Sequence, residues 1–232
     1  MNKPNLDARL LAAAKFVREG AYACDIGTDH AYLPVYLVLI GRASRALAPD
    51  INKGPVMRAK ESVAKYGVND KIDVVLSDGL RGAEGYPVTD IIIAGMGGEL
   101  IAHIVESAPH LRDKSVRLIL QPMSRQEHLR RALYRLGYFI VGERYSLTDG
   151  KRYVCICAEF SGNPCEISEE LANLGPDISH DEDREAYLAY LTAKRDGLAK
   201  VATAKREAGI CDGTENILAL FDARIQKQSN LK

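Results

Sequence analysis

Cys24-Asp25-Ile26-Gly27-Thr28-Asp29-His30 is an apolar stretch that breaks into an acidic turn with one glycine, and Ala31-Tyr32-Leu33-Pro34 then opens a helix. In an open α/β sheet, such a turn at the carboxyl end of a strand is where a nucleotide-like ligand binds. Twenty-five residues after Asp25, Ala46-Leu47-Ala48 runs into Pro49-Asp50-Ile51-Asn52 and sets a carboxylate where a ribose diol could be gripped. A dinucleotide fingerprint needs three glycines for close approach to a pyrophosphate. Gly27 stands alone, so a dinucleotide is not the expected ligand. Asp25 and Asp29 would repel phosphate and attract an ammonium. S-adenosylmethionine carries a ribose and an amino-acid tail without a phosphate, and it is the expected cofactor.

Three further segments fall at strand ends. Ser77-Asp78-Gly79-Leu80 follows an Ile-Asp-Val-Val-Leu strand, so Asp78 could accept the adenine amino group while Ser77 or Gly79 offers backbone contacts. The same residues also make an ordinary Asp-Gly turn; their weight comes from being the third acid in register. Ile91-Ile92-Ile93-Ala94-Gly95-Met96-Gly97-Gly98 reads as a buried parallel strand whose glycines let a ligand approach the backbone. Amino-group methyltransferases often carry Asn-Pro-Pro-Tyr at this strand end. Here there is neither Asn nor an aromatic residue, which argues against an exocyclic amine held in that way as the nucleophile. Gln121-Pro122-Met123 ends the next strand, with an amide that could either read a base edge or simply form a turn. His30 sits where a cofactor methyl would point. A lone His is most often structural, but two carboxylates flank this turn and Tyr32 follows. The chain lacks a Gly-x-Ser-x-Gly elbow, a His-Glu-x-x-His pair and a Gly-Lys-Ser/Thr phosphate loop, so hydrolase, metalloprotease and kinase readings lack their chemistry, and no metal centre is expected.

The elements that must position these residues alternate. Helix is predicted over 6–17, then strand 21–26, helix 32–41, strand 45–50, helix 54–66, strands 72–77 and 89–95, helix 98–107, strand 116–121 and helix 124–136. Strands 138–147 and 151–160 follow, joined by Thr148-Asp149-Gly150, a turn that closes an antiparallel hairpin. A parallel sheet ended by an antiparallel pair is the class I methyltransferase pattern, a Rossmann-like α/β fold; a dehydrogenase would be expected to continue with a helix. After Gly162-Asn163-Pro164 the strand signal stops, and 168–175, 182–208 and 214–229 read as helices. Leu188, Leu191, Leu198 and Ala202 form one apolar stripe; Ile217, Leu218, Leu220, Phe221 and Ile225 form another. A turn at 209–213 makes them an antiparallel, coiled-coil-like hairpin, serving packing or helping to hold an RNA or a second subunit. The expected division is therefore a Rossmann-like domain over 1–162 and a helical domain over 163–232.

The 232 residues suffice for an α/β domain of roughly 150 residues and a small appendage. No apolar run reaches membrane-span length and the N-terminus lacks the order of a secretory signal, so a cytoplasmic enzyme is expected. Five cysteines, an odd number without a C-x-x-C pair, argue against a disulfide framework and a zinc knuckle. Net charge is zero, but residues 111–152 hold ten Lys or Arg against four Asp or Glu, whereas 163–232 hold nine against thirteen. The basic segment is either a set of solvated helix faces or a phosphate-contacting stripe of Arg125, Arg130, Arg131, Arg135, Arg144, Lys151 and Arg152.

With these residues in view, the chain resembles the bacterial tRNA (adenine-22-N1)-methyltransferase family. The likeness rests on Leu-Asp-x-Arg-Leu near the start, Asp25-Ile-Gly-Thr-Asp-His-Ala-Tyr-Leu-Pro34, Asp50-Ile-Asn-Lys-Gly-Pro55, Ser77-Asp-Gly-Leu80, Ile93-Ala-Gly-Met-Gly-Gly98 and Leu118-Ile-Leu-Gln-Pro122, within residues 6–160. Members often have Ser at Thr28 and Asn at Met123. The resemblance implies methyl transfer from S-adenosylmethionine to N1 of adenine 22 in tRNA. It implies a cofactor site lined by Asp25, Gly27, Thr28, Asp50, Ile51, Asn52, Ser77, Asp78, Gly79 and Gly95. Asp29 would stabilise charge, His30 and Tyr32 would place the base, and Gln121 would touch its edge. tRNA would be met through 111–152 and the C-terminal helices, by a monomer or weak dimer. Rival readings are another RNA position or a small-molecule substrate.

Overall fold

The computed structural model describes residues 3–177 and 183–230. Helix α1 (Ala8–Phe16) is followed by β1 (Ala21–Ile26), α2 (Tyr32–Leu39), β2 (Ala43–Asp50), α3 (Lys53–Lys65), β3 (Ile72–Leu76), β4 (Asp90–Met96), α4 (Gly98–Glu106), β5 (Arg117–Pro122), α5 (Gln126–Arg135), β6 (Tyr138–Thr148) and β7 (Lys151–Phe160). Helices α6 (Glu169–Leu174), α7 (Arg184–Glu207) and α8 (Thr214–Asn230) complete the described chain. The predicted start of the long helix at residue 182 lies outside the described residues. Between β3 and β4 there is only a 3-10 turn, Gly79–Ala83.

The seven strands lie in the order β3-β2-β1-β4-β5-β7-β6. All neighbours pair in parallel except the two pairs that involve β7. This is the Rossmann-like sheet closed by an antiparallel hairpin that the sequence predicts. Its centre shows why an all-apolar strand forms. Ile91, Ile92 and Ile93 are fully buried; Ile91 and Ile93 join the apolar cluster that includes Ile101, Leu129 and Leu133 of α4 and α5. Ile92 joins the opposite cluster, which includes Ala13, Leu37 and Ala59 of α1, α2 and α3. Successive side chains of one strand thus hold helices on both faces.

The C-terminal helices share that core. Tyr187, Tyr190 and Leu191 of α7 and Phe221 of α8 are buried with Tyr145 of β6. Beside them lies an ion pair with no exposed surface: Arg130 donates from Nε to Glu143 Oε1 (2.6 Å) and from Nη2 to Oε2 (2.9 Å). Its Nη1 donates to the carbonyls of Ala172 (2.9 Å) and Asn173 (3.2 Å), at the end of α6. Two members of the expected phosphate-contacting stripe are therefore corrected. Arg130 faces inward, and Arg144 pairs with the largely buried Asp183. Each cation is placed by a carboxylate distant in sequence, which a charge count along the chain does not see.

Removing one partner of such a pair strands the other charge in the interior, at a cost of about 3–5 kcal/mol. Arg130→Ala is expected to lower the unfolding free energy by that amount in urea titrations. Exchanging Arg130 and Glu143 together for apolar residues of similar volume is expected to recover most of the loss.

Candidate active site

The carboxyl ends of β3, β2, β1 and β4 lie side by side, and the strand-end residues sit along them. Register places Asp50 opposite Leu76 and Asp25 opposite Ile92. The turn after β1 is tied to β2 by Gly27 N donating to Pro49 O at 3.0 Å, and β2 to the segment after β3 by Ser77 N donating to Asp50 O at 2.9 Å. Asp50 is nearly buried and its Oδ1 accepts from Asn52 N at 2.7 Å, which fixes the carboxylate at the head of α3. Ile51 and Leu76 stand out as exposed apolar side chains next to Asp50 and before Ser77; Asp78 is exposed and Gly79 half-buried.

The first turn is tight. Gly27 has φ +72°, and a Cβ there would lie 2.4 Å from Met96 Cε at the end of β4, so any other residue meets both backbone strain and a side chain. His30 and Ala31 also adopt left-handed backbone, φ 68° and 53°. Strain of this kind persists only where the surroundings enforce it, and it gathers at functional turns. It presents the His30 ring stacked on Tyr32, centroids 5.1 Å apart and planes 14° apart, at the surface. Asp29 is exposed beside them.

Behind the turn the environment is dry. Burial pushes the Asp25 carboxyl up to about 7; the nearby Thr28 hydroxyl and the Arg9 guanidinium oppose that rise in part. The Thr28 hydroxyl is itself buried, close enough to Asp25 to lower its carboxyl but outside hydrogen-bond geometry to any described protein group. A buried carboxyl and a buried hydroxyl side by side, at a turn whose positive φ favours Gly27, fit a ligand that brings an ammonium and polar atoms.

Gln121 is corrected from its expected place at a base edge. It is fully buried. Its Oε1 accepts from Arg9 Nη1 at 2.8 Å and from Gly95 N at 3.1 Å, and its Nε2 donates to Pro122 O at 3.2 Å. The cause is a slip in the β4–β5 ladder between Ala94 and Met96, which leaves the Gly95 amide without a strand partner. Gln121 supplies one, and so fixes the backbone at Gly95. Arg9, the arginine of the Leu-Asp-x-Arg-Leu segment, has no role assigned from sequence and joins this cluster. It reaches from α1 to lie 3.5 Å from where a Gly95 Cβ would stand. Its signal in the sequence is that segment, on the helix whose apolar spacing runs through Leu6, Leu10, Ala13 and Val17.

A family model described as a methyltransferase domain matches residues 6–156. The tRNA (adenine(22)-N(1))-methyltransferase of Bacillus subtilis (strain 168) is 43% identical over 159 residues, 68% of this chain and 67% of the relative. The chain belongs to the tRNA (adenine-22-N1)-methyltransferase family. Solved members carry the likeness through the C-terminal helices. The crystal structure of the B. subtilis m1A22 tRNA methyltransferase TrmK superposes with a TM-score of 0.79 at 33% identity over 97% of both chains. A Streptococcus pneumoniae protein provisionally assigned as a tRNA (m1A22) methyltransferase, in complex with S-adenosyl-L-methionine, gives 0.83 at 32% identity over 95% of this chain and all (100%) of that one.

The raised Asp25 carboxyl has a thermodynamic signature. Unfolded, it loses its proton near pH 4; folded, only near 7. Its contribution to stability is therefore present in full below pH 4 and is lost as pH rises through 7. Asp25→Asn is expected to match the wild type in stability near pH 3.5 and to exceed it at pH 8, by on the order of a few kcal/mol, in denaturation without cofactor.

Proposed function

We infer that this protein is an S-adenosylmethionine-dependent methyltransferase that forms 1-methyladenosine at adenine 22 of tRNA. The observation that carries the reading is the row of acids at the ends of β1, β2 and β3 beside the tight turn at Gly27, in a chain of this family. Asp50 holds the ribose hydroxyls, Asp78 and the backbone at Ser77 and Gly79 meet the adenine, and exposed Ile51 and Leu76 cover its faces. Asp25 and Thr28 receive the amino-acid tail. Gly27 and Gly95 let it approach, and Asn52 sets Asp50. When bound, S-adenosylmethionine supplies an electrophilic methyl group on a sulfonium.

N1 of adenine already carries a lone pair, so the residues need not remove a proton before transfer. Their work is alignment and the stabilisation of positive charge as it appears on the base. Asp29 provides the negative charge at the lip of the site. The His30–Tyr32 stack offers a ring face to a base that must be unpaired or flipped out, at a cost of a few kcal/mol. Gln121 acts as a positioning residue, through Gly95. Gly95-Met96-Gly97-Gly98 offers no side-chain amide for an exocyclic amine, which favours a ring nitrogen as acceptor. A cytoplasmic location fits a tRNA substrate, and no described helix is long and apolar enough to cross a membrane.

Incubation with labelled S-adenosylmethionine and an unmodified tRNA transcript is expected to label that transcript and not one in which adenine 22 is replaced. Label in both would move the target; label in neither, with cofactor bound, would overturn a tRNA substrate. Asp29→Asn is expected to slow single-turnover methylation by about 10²-fold, with the calorimetric cofactor affinity unchanged. Asp50→Ala is expected to weaken that affinity.

A further inference from the structure

Asp29 is already engaged. Arg58, on the exposed side of α3, donates to its Oδ1 from Nε at 2.9 Å and from Nη2 at 2.8 Å. His30 Nε2 lies 3.7 Å from the same oxygen. The two partners are 44% and 57% exposed, and a surface pair of this kind contributes only about 0–1 kcal/mol. Where it stands, the guanidinium cancels the negative charge that a cationic base requires. A guanidinium fork fits the two free oxygens of a phosphodiester as well as it fits a carboxylate, so a backbone phosphate brought alongside competes with a solvated acid for the same donors. The surroundings favour such an exchange. Lys53 and Lys60, on the same helix, are exposed and without a carboxylate partner among the described residues. By contrast Arg130, Arg131 and Arg144 in the basic segment are paired with Glu143, Glu169 and Asp183.

We propose that Arg58 is the substrate-sensing residue of this site: a tRNA phosphate next to the target adenine takes its guanidinium from Asp29, and the carboxylate so released faces the base. The exchange rests on the reading of Asp29 as the charge-stabilising group. It makes α3 a tRNA-contacting element and couples phosphate capture to completion of the site. No bond is made or broken; one ion pair replaces another.

The test is tRNA affinity as a function of salt for the wild type, Arg58→Ala, Asp29→Asn and the double variant, with calorimetric S-adenosylmethionine affinity verifying that each is folded. Arg58→Ala is expected to weaken binding severalfold and to reduce the slope of log affinity against log salt by about one. Asp29→Asn, having no ion pair to surrender, is expected to bind tRNA about two- to fivefold more tightly. That gain is expected to vanish in the Arg58→Ala background. An unchanged salt slope in Arg58→Ala overturns the proposal. So does a gain from Asp29→Asn that persists undiminished without Arg58, since that would be plain repulsion of the tRNA by the acid. If instead the coupling holds while Asp29→Asn methylates at the wild-type rate, the exchange is supported and the catalytic reading of Asp29 fails.

Discussion

The site depends on a reversal in the sheet. The chain lays β1, β2 and β3 outward in one direction, then returns to place β4 against the other side of β1. Loops leaving β1 and β4 must part to opposite faces, and a crevice opens between them at the carboxyl ends. Asp25, Asp50 and Asp78 lie along that edge of the sheet, at or just beyond the ends of β1, β2 and β3. The β4–β5 ladder slips at Gly95, and the buried amide oxygen of Gln121 accepts from the freed Gly95 N–H. Arg9 locks that amide from a third element. A glutamine in the interior thus ties α1 to the end of β4.

Much of this was legible in the sequence, and the parts that were not share a cause. Asp25, Asp50 and Asp78 each follow a short apolar run, and strand ends can be read from local pattern alone; so can the hairpin around Asp149-Gly150. The roles of Gln121, Arg9, Arg130 and Arg144 could not be read in that way. Arg9 and Gln121 lie 112 positions apart, and Arg130 meets Glu143 on the following strand and carbonyls 42 and 43 residues on. Polar side chains of this sort are directed by where their partners fold. A local count of charge records their presence but not their direction.

The site is also built at a cost to the fold. An acid held dry behind the first turn and two left-handed non-glycine residues each favour some other arrangement. The surrounding packing, with Ile91, Ile92 and Ile93 at zero exposure next to β1, supplies the rigidity that tolerates them. Ligand groups complementary to those features relieve the strain, so binding energy is stored in advance as polar groups left waiting.

The pairing of Arg130 with Glu143 and with the end of α6 bears on how the chain is made. During synthesis, α5 emerges well before residues 172 and 173, and β6 reaches the sheet only through β7, which lies between it and β5. Until that later segment leaves the ribosome, the Arg130 guanidinium lacks two of its acceptors and one face of α5 stays uncovered. The last hydrogen bonds of this buried cation therefore wait on a segment some 42 residues further along the chain.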